Sequence, residues 1–518
     1  MIDYLTLQNG SDIRGVALSV PGGKDVNLTS EVVRNIGSAF AIFAAKRLKK
    51  ENPAELRIAI GRDPRLTGEE IASLLAAGIT KVGANAFDGG LASTPAMFMC
   101  CVNELKFDAG VMITASHLPM ERNGMKFFFA EGGLEKADIK EILSIAQSGE
   151  FNISSETGKS LNVDVMTPYI NGLKAIILRE LGEKDPDAKP FMGLKIAVDA
   201  GNGSGGFFAE RLLKPLGADI SGSRYLEPDG HFPNHQPNPE NKQAMASIVE
   251  AVLLSGSDFG IIFDTDVDRA GAVLPDGDNA ILLDRNRLIA MLTAILSRQY
   301  GPITVVTDSV TSTGLNEFIT NLGCTHHRFK RGYRNVINEA KRLNAACADA
   351  IPSAKLAIET SGHGAMMENY FLDDGAYIIV KLLVELVRSL RCGRTLNALI
   401  SDLKEPKEST EARLDVISDY TEEFTDKVLA HVLSFFEKLP GFSVVEPNFE
   451  GVRINADVDH GDGWFLLRRS LHDPLMPCNI ESNSIGGVKL LASALLSSLD
   501  PFENINVAAL VEISNGNY

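Results

Sequence analysis

Three carboxylates alternate with other residues in the segment Asp264-Thr-Asp-Val-Asp-Arg269, which directly follows an apolar stretch. Alternate side chains of an extended segment point to one side, so this spacing predicts that Asp264, Asp266 and Asp268 lie together. A hard divalent cation such as Mg²⁺, Mn²⁺ or Ca²⁺ would relieve their mutual repulsion. The alternative is a solvated acidic turn. Arg269 beside the triplet suits a phosphate that shares the ion.

A second candidate is Ser116 in the turn Thr114-Ala-Ser-His-Leu-Pro119, which follows the apolar run Gly110-Val-Met-Ile113. A strand before the serine and a proline after it would hold the hydroxyl in place, as a nucleophile or a phosphate carrier requires. The alternative is a serine that only caps a turn. His117 beside it does not by itself establish a general base.

Two further segments carry residue types that bind sugars and phosphates. In Glu359-Thr-Ser-Gly-His-Gly364, Glu359 and Ser361 could hold sugar hydroxyls, and His363 could contact a phosphate or transfer a proton. Near the end of a predicted strand, Arg468 and Ser470 form a plausible phosphate clamp. The alternatives are a glycine-rich turn and an exposed basic strand end.

Composition narrows the classes of protein that fit. The chain has 518 residues, with 50 basic and 67 acidic side chains and a net charge of −17, which disfavours nucleic acid as a partner. The six cysteines include no Cys-x-x-Cys pair, which argues against a zinc framework and favours a reducing, cytoplasmic location. No uncharged apolar run approaches the ~20 residues of a membrane span, and the start does not resemble a signal peptide.

The polar segments follow predicted strands in three similar stretches of alternating strands and helices, a pattern typical of α/β architecture. Ligands of open α/β sheets bind beyond the carboxyl ends of the strands, so the loops from the three stretches are expected to share one cleft. From about Glu408 the pattern changes to α+β. The expected strands and helices of the three stretches include a helix over 29–50, strands over 56–60, 108–113, 194–198 and 259–263, a helix that ends near 216, and strands over 303–306 and 355–358.

Together and in this order, the segments resemble the α-D-phosphohexomutase superfamily, which includes phosphoglucomutases, phosphomannomutases and phosphoglucosamine mutases. The resemblance covers nearly the whole chain. Its motifs are Asn9-Gly-Ser-Asp-Ile-Arg-Gly15, Gly61-Arg-Asp-Pro-Arg65, Thr114 to Pro119 with Asn123-Gly-Met-Lys126, Asp229-Gly-His-Phe-Pro, Pro237-Asn-Pro-Glu240, Asp264 to Arg269, and Glu359 to His363.

The resemblance implies that Ser116 carries a phosphoryl group, which moves to a hexose phosphate and returns through a bisphosphate intermediate. One Mg²⁺ per site would bind Asp264, Asp266, Asp268 and an oxygen at Ser116. A hexose 1,6-bisphosphate would act as activator. Implied catalytic residues are Ser116, Lys126 as general base, Arg14 and His363; implied substrate-binding residues are Glu359, Ser361, Arg269, Arg468, Ser470, His472 and Arg334.

Two segments depart from the family pattern. In Arg468-Arg-Ser-Leu-His-Asp-Pro474, His472 and Asp473 replace the usual Thr and Glu, and Pro477 stands where a later Arg is usual. Proline has no N–H donor, so one phosphate contact would be lost, and His472 could replace it. In the sugar loop, Ile358 stands where the family often has Gly, and the Ser-Gly-His ending is closer to the phosphomannomutase and phosphoglucosamine mutase branches than to the phosphoglucomutases.

The sequence therefore predicts three related α/β domains with mixed sheets, over residues 1–165, 166–290 and 291–405, and an α+β domain over 406–518, around a central cleft. The expected activity moves phosphate between C1 and C6 of glucose or mannose phosphates. Alternatives are a phosphoglucosamine mutase, a non-catalytic sugar-phosphate-binding protein, or a phosphatase. The expected partner is a small hexose phosphate, with no nucleic acid and no membrane; the oligomeric state is left open.

Overall fold

The computed structural model describes residues 2–151, 156–346, 352–418, 420–470 and 473–518. They form two compact units, each built from two separate stretches of chain. One unit contains Met1–Asp284 and Ser361–Ala398, and the other contains Arg285–Thr360 and Leu399–Tyr518. Among the described residues, no helix is both long and apolar enough to cross a lipid bilayer.

The first sheet of the first unit has the strand order β1-β2-β6-β5-β3-β4-β8, with β7 paired to β6. β3 pairs in parallel with β4 and β5, whereas β6 runs antiparallel to β2 and β5. Helix α1 begins after Thr29, whose hydroxyl accepts from Val32 N, and its apolar face packs on the sheet. The elements are β1 (Gln8–Asn9), β2 (Asp12–Val16), α1 (Ser30–Leu48), β3 (Arg57–Arg62), α2 (Gly68–Lys81), β4 (Asn85–Leu91), α3 (Thr94–Val102), β5 (Ala109–Ile113), β6 (Arg122–Phe129), β7 (Gly132–Gly133), α4 (Lys136–Ser148), β8 (Ser160–Asn162) and α5 (Met166–Leu181).

The second sheet of the first unit has the order β12-β11-β10-β9, with β9 and β10 parallel and the other pairs antiparallel. The helix expected to end near 216 is instead a short π-helix, Phe208–Leu213, after a glycine-rich turn. The glycine-rich segment before this helix and Pro215 after it limit the helix to about one and a half turns, because proline does not continue a helix. The elements are β9 (Ile196–Asp199), α6 (Lys242–Ser255), β10 (Phe259–Phe263), β11 (Ala270–Asp276) and β12 (Asn279–Leu283).

The α/β part of the second unit contains three parallel strands in the order β14-β13-β15. Its elements are α7 (Arg285–Tyr300), β13 (Thr304–Thr307), α8 (Thr313–Asn321), β14 (Thr325–Arg328), α9 (Tyr333–Ala346) and β15 (Ala354–Ile358). The chain then returns to the first unit with the antiparallel hairpin β16 (Gly364–Met366) and β17 (Leu372–Asp373), followed by α10 (Gly375–Arg391).

The C-terminal part of the second unit is an antiparallel sheet of order β18-β22-β21-β20-β19, covered by helices that pack on its apolar face. Its elements are β18 (Glu408–Asp415), α11 (Glu422–Phe436), β19 (Phe442–Val444), β20 (Val452–Ala456), β21 (Gly463–Leu467), β22 (Leu475–Ser482), α12 (Gly487–Leu499) and α13 (Ala508–Ser514). The predicted fold class, α/β domains with mixed sheets followed by an α+β domain, is confirmed. The exact domain boundaries and the central cleft stay predictions.

A buried polar cluster links the two parts of the second unit. Arg453 lies 3.6 Å above the ring of Trp464 and donates to the carbonyl oxygens of Ser309 (2.7 Å) and Thr311 (3.0 Å). Trp464 in turn donates to Glu481 at 3.0 Å. Burial raises the pKa of Glu481 to about 7, although the charges of Arg453, Arg328 and Arg285 oppose the shift.

Replacing Glu481 by Gln should flatten the pH dependence of stability between pH 5 and 8. The folded protein holds the Glu481 proton more tightly than the unfolded chain, so this group stabilises the fold below its unfolded pKa and loses that contribution as pH rises to about 7. The free energy of unfolding of Glu481→Gln, relative to that of wild type, should therefore rise by roughly 2 kcal/mol from pH 5 to pH 8. Thermal unfolding at both pH values measures this. The control is Glu437→Gln, at an exposed position. A difference in stability between Glu481→Gln and wild type that is the same at both pH values would contradict the prediction.

Candidate active site

Ser116 lies in the turn after β5, and its backbone has the left-handed value φ 51°. Residues other than glycine adopt this conformation at a cost of about 1–2 kcal/mol, and such strain is concentrated at functional sites. The amide of Ser116 donates to Thr114 Oγ1 at 2.8 Å. Its Oγ donates to Asp264 Oδ2 and accepts from Arg269 Nη2, each at 3.1 Å. The hydroxyl is thus held between a carboxylate and a guanidinium group, both from the loop that joins Phe263 to Ala270.

The three aspartates lie close together, as the sequence predicts, but the predicted cause, alternation along an extended segment, was wrong. The segment after β10 is a tight turn rather than an extended strand, with Val267 at φ 69°. Oxygen atoms of Asp264, Asp266 and Asp268 nevertheless lie within 4.8 Å of one another. The turn brings them together because α10 is packed against it: Gly375 N donates to Val267 O at 3.1 Å. A Cβ at position 375 would lie 2.7 Å from the Arg269 carbonyl carbon, so only glycine fits there.

These carboxylates fit a divalent cation. Asp266 Oδ1 and Asp268 Oδ1 are buried, and no hydrogen-bond donor of the described residues reaches either oxygen. Burial and the charges of Asp268 and Asp266 raise the pKa of Asp264 well above its usual value. Uncompensated carboxylate oxygens in a buried cluster are the donor set that Mg²⁺ and similar ions prefer.

Lys126 in β6 contacts the same triplet. Its Nζ pairs with Asp266 Oδ2 at 2.9 Å and with Asp268 Oδ2. Burial alone would lower the pKa of Lys126, but these two carboxylates raise it well above its usual value. In this arrangement Lys126 holds its proton.

Arg269 connects the acidic turn with the serine turn. It is 1% exposed and contacts Asp264, and its Nη1 donates to Asn238 Oδ1 at 3.2 Å and lies 3.4 Å from Glu240. Its Nη2 also donates to Nδ1 of His117 at 2.7 Å, which requires that nitrogen to be unprotonated. Burial and the charge of Arg269 lower the pKa of His117 to about 3, in agreement with this contact.

His363 reaches the site from the loop before β16. Its Nδ1 lies 2.5 Å from Asp373 Oδ2, and the other oxygen of Asp373 accepts from Gly364 N at 2.9 Å. Burial would lower the pKa of His363, but Asp373 raises it to about 9. The ring also lies close to Asp268, since ligand atoms of Asp268, His363 and Asp373 are within 4.8 Å of one another.

Arg14 in β2 supports the turn that carries Ser116. Its Nη1 donates to Thr114 O and its Nη2 to Asp12 Oδ2, both at 2.8 Å. Thr94 at the start of α3 holds the acidic turn in a similar way. Its amide donates to Asp266 O at 2.8 Å, and its hydroxyl donates to Asp266 Oδ2 at 2.5 Å.

The second unit contains most of the residues expected to bind substrate. Glu359 is buried and accepts from Gly332 N at 2.6 Å, and Arg334 is the second residue of α9. The Nε of Arg468 is buried without an acceptor among the described residues, and burial and the charge of Arg331 lower the pKa of Arg468. An anion bound beside Arg468 and Arg331 would accept a hydrogen bond from this Nε and offset the repulsion between the two positive charges.

Pro477, read from sequence as part of the phosphate loop, is instead a residue of β22. It lies opposite Arg413, and its carbonyl accepts from Arg468 N at 3.1 Å. Ser470 Oγ accepts from Asp473 N at 3.2 Å, and His472 lies outside the described residues.

The first unit therefore brings together Ser116, Lys126, Arg14, Arg269, His363 and the three aspartates. Ser361 belongs to the same unit, and its buried hydroxyl has no hydrogen-bond partner among the described residues. Sequence reasoning missed Asp12, Arg65, Thr94, Asn238 and Asp373 as residues that hold the others. Asp12, Arg65 and Asn238 stand in quoted motifs, but only the contacts of the folded chain assign them a role.

Three family models match the chain. They are described as phosphoglucomutase/phosphomannomutase alpha/beta/alpha domains I, II and III and match residues 6–153, 167–277 and 284–406. A phosphoglucomutase of Neisseria meningitidis is 32% identical over 505 residues, 95% of this chain and 96% of the relative. A phosphomannomutase/phosphoglucomutase of Pseudomonas putida is 28% identical over 476 residues, 91% of each chain.

A solved structure has the same fold. It is a phosphoglucomutase/phosphomannomutase family protein from Burkholderia thailandensis, which superposes with a TM-score of 0.76 at 24% identity. The match covers 98% of this chain and 100% of that chain.

Proposed function

The chain belongs to the phosphoglucomutase/phosphomannomutase family, and we propose that it is a hexose-phosphate mutase that moves a phosphoryl group between C1 and C6 through a phosphoserine at Ser116. The observation that carries the proposal is the position of the Ser116 hydroxyl, 3.1 Å from both Asp264 and Arg269. The resemblance drawn from the sequence motifs is confirmed by these family matches, and the enzyme class is an isomerase.

In the proposed reaction, a free hydroxyl of the sugar attacks the phosphorus of phosphoserine 116. The bond between phosphorus and serine Oγ breaks, and a bond between phosphorus and the sugar oxygen forms. The hydroxyl proton passes to a base, and the leaving serine oxygen takes up a proton from an acid. The resulting bisphosphate reorients and returns its other phosphate to Ser116. No water is consumed, so phosphate is conserved on the sugar.

Asp264, Asp266 and Asp268 would hold the metal ion, for which we propose Mg²⁺, together with an oxygen at Ser116. When bound, the ion stabilises negative charge on the phosphoryl oxygens. Arg269 contributes a fixed positive charge at the same oxygens. Lys126 is the proposed general base, because a cation held by Asp266 and Asp268 would offset the two carboxylate charges that raise its pKa. His363, whose pKa is raised to about 9, is the proposed donor of a proton to the leaving oxygen. Arg14 holds the turn on which Ser116 stands.

The substrate proposals rest on the second unit and on Ser361. Glu359 and Ser361 are proposed to bind sugar hydroxyls; Arg468, Ser470, His472 and Arg334 are proposed to bind the phosphate that does not react. The activator is proposed to be a hexose 1,6-bisphosphate, which phosphorylates Ser116. A cytoplasmic location stays a prediction, which rests on the small number of cysteines.

The test is a panel of glucose 1-phosphate, mannose 1-phosphate and glucosamine 1-phosphate, with Mg²⁺ and glucose 1,6-bisphosphate. We expect conversion of glucose or mannose phosphate to the 6-phosphate, with no release of inorganic phosphate. Turnover of glucosamine phosphate alone would favour a phosphoglucosamine mutase. Phosphate release would identify a phosphatase, and no turnover of any substrate would favour a non-catalytic binding protein.

Replacing Arg468 by Ala should raise KM for the 1-phosphate by roughly 10- to 100-fold, with a smaller effect on kcat, because a charge-assisted contact to the distal phosphate is lost. The KM of Arg468→Lys should lie between those of wild type and Arg468→Ala, since lysine keeps the charge but not the planar guanidinium group. Steady-state kinetics measure both parameters. The exposed Arg413→Lys on β18 is the control, and a KM for Arg468→Ala within twofold of wild type would contradict the assignment.

A further inference from the structure

Arg65, just after β3, is buried beneath the serine turn and is 2% exposed. Four backbone carbonyl groups of this turn accept hydrogen bonds from its guanidinium group. They belong to Ser116, Leu118 (2.7 Å), Pro119 (2.9 Å) and Arg122 (3.0 Å). The one remaining N–H, Nε, donates to Asp63 Oδ2 at 3.2 Å. All five donors of the side chain are therefore used, and four of them fix one turn.

Arg65 is itself held rigidly. Asp63, which is fully buried, pairs with its Nε and also accepts from Arg65 N at 3.0 Å. The amide of Asp63 donates to Ile113 O at 3.0 Å, at the end of β5. The ring of Phe232 lies 5.4 Å from the guanidinium carbon. A side chain fixed from three directions can impose a conformation on a loop that it contacts.

That loop needs such a constraint. Ser116 is in the left-handed region, which a serine leaves unless the surroundings oppose it. Fixing the carbonyl of residue 116 fixes its ψ angle, and the hydrogen bond from Ser116 N to Thr114 Oγ1 fixes the other side of the residue. Together these contacts determine where Oγ points. Phosphoryl transfer depends steeply on this direction, because the attacking and leaving oxygens must be nearly in line with phosphorus.

We propose that Arg65 is a positioning residue for phosphoryl transfer: its four hydrogen bonds to the turn 116–122 hold Ser116 in the left-handed conformation that aims its oxygen at the acceptor hydroxyl. All five donors of Arg65 go to Asp63 and to backbone carbonyl groups, and none goes to Ser116 Oγ, so it acts through the backbone. The inference rests on the proposed role of Ser116. Guanidinium geometry rather than charge is what the role requires, since lysine cannot supply four donors in one plane.

The test compares Arg65→Lys and Arg65→Gln with Arg57→Gln. Arg57 is the control because it stands on β3, donates to the carbonyl groups of Leu105 and Lys106, and lies over the ring of Phe107 at 4.5 Å, although its side chain is exposed. It thus makes the same kinds of contact to a different loop. The readouts are kcat, KM, the melting temperature, and the rate at which glucose 1,6-bisphosphate phosphorylates Ser116, followed by intact mass.

We expect both Arg65 variants to lower kcat and the rate of Ser116 phosphorylation about 30- to 100-fold, with KM changed less than threefold, since misplacing a reacting group by about 1 Å has effects of this size. Arg57→Gln should keep wild-type rates, with a smaller loss of melting temperature because the Arg57 side chain is exposed. Phosphorylation at the wild-type rate in Arg65→Lys would overturn the inference, and so would a loss of equal size in Arg57→Gln.

A measurement on the unchanged protein covers the case in which the Arg65 variants do not fold. The amides of Ser116, Leu118 and Arg122, which donate to Thr114 Oγ1, Ala115 O and Pro119 O, should exchange with deuterium as slowly as those of β5, because Arg65 holds the turn that carries these hydrogen bonds. Exchange as fast as that of the exposed β11–β12 turn at Asp276–Asn279 would overturn the inference. If wild type has no mutase activity but its turn is protected, the proposed function fails while the structural role of Arg65 stands.

Discussion

Ser116→Ala is expected to lower kcat by at least about 1,000-fold, because no other hydroxyl can accept the phosphoryl group in its place. The variant should also gain no mass from glucose 1,6-bisphosphate, whereas wild type gains one phosphate. The melting temperature should be unchanged or slightly raised. Alanine keeps the size of the side chain, and the left-handed backbone at this position is imposed by neighbours that the substitution leaves in place.

The control for this variant is Ser144→Ala on the exposed side of α4, whose hydroxyl donates only to Lys140 O. It should match wild type in rate and in phosphate uptake. Mass spectrometry after proteolysis locates the phosphate. A Ser116→Ala enzyme with more than a tenth of the wild-type kcat, or phosphate found on a different residue of wild type, would refute the phosphoserine assignment.

Asp268→Asn is expected to weaken Mg²⁺ or Mn²⁺ binding by at least about 100-fold, with a similar loss of kcat at low metal concentration. The substitution removes one of the two buried carboxylate oxygens that no described donor reaches. Asparagine is nearly the same size as aspartate, and Lys126 keeps its second partner, Asp266. The folded state should therefore persist while the cation site is lost.

Isothermal titration with MnCl₂ alone measures this affinity without any sugar phosphate. Activity after chelation with EDTA, and after Mg²⁺ is restored, gives the second readout in wild type. Asp276→Asn, at the exposed end of β11, is the control. The triplet is not a metal site if Asp268→Asn binds Mn²⁺ as wild type does, or if wild type keeps full activity in EDTA.

Much of the first unit could be predicted from the sequence. The apolar strands before Thr114 and Asp264 mark the two sheets that position these loops, and the periodicity of α1 marks the helix that packs on the first sheet. The antiparallel strands β6, β11 and β12 were not predicted individually, since short strands of this kind differ little in composition from the loops around them. Lys126 was found only through a motif, and its strand is evident only from its pairing with β5.

The supporting contacts could not be predicted, because they join residues far apart in the chain. Thr94 and Asp266 are 172 positions apart, and Arg65 and Ser116 are 51 apart. A sequence pattern reports local preferences, and which distant carbonyl an arginine reaches depends on how the strands order in the sheet. The acidic turn shows the same limit: its carboxylates converge through packing by α10, not through strand alternation.

The discontinuous make-up of the first unit has an evolutionary consequence. Its chain leaves after Asp284 and returns at Ser361, and this return brings His363 and Asp373 to the serine and the aspartates. Glu359 and Arg468, proposed to recognise the sugar and its second phosphate, belong to the other unit. On these proposed roles, changes in the other unit would alter recognition of the sugar phosphate without disturbing the parts that make and break the phosphate ester. We expect chimaeras that exchange the whole second unit, residues 285–360 together with 399–518, to take their recognition of the sugar phosphate from the donor and their phosphoserine chemistry from the recipient.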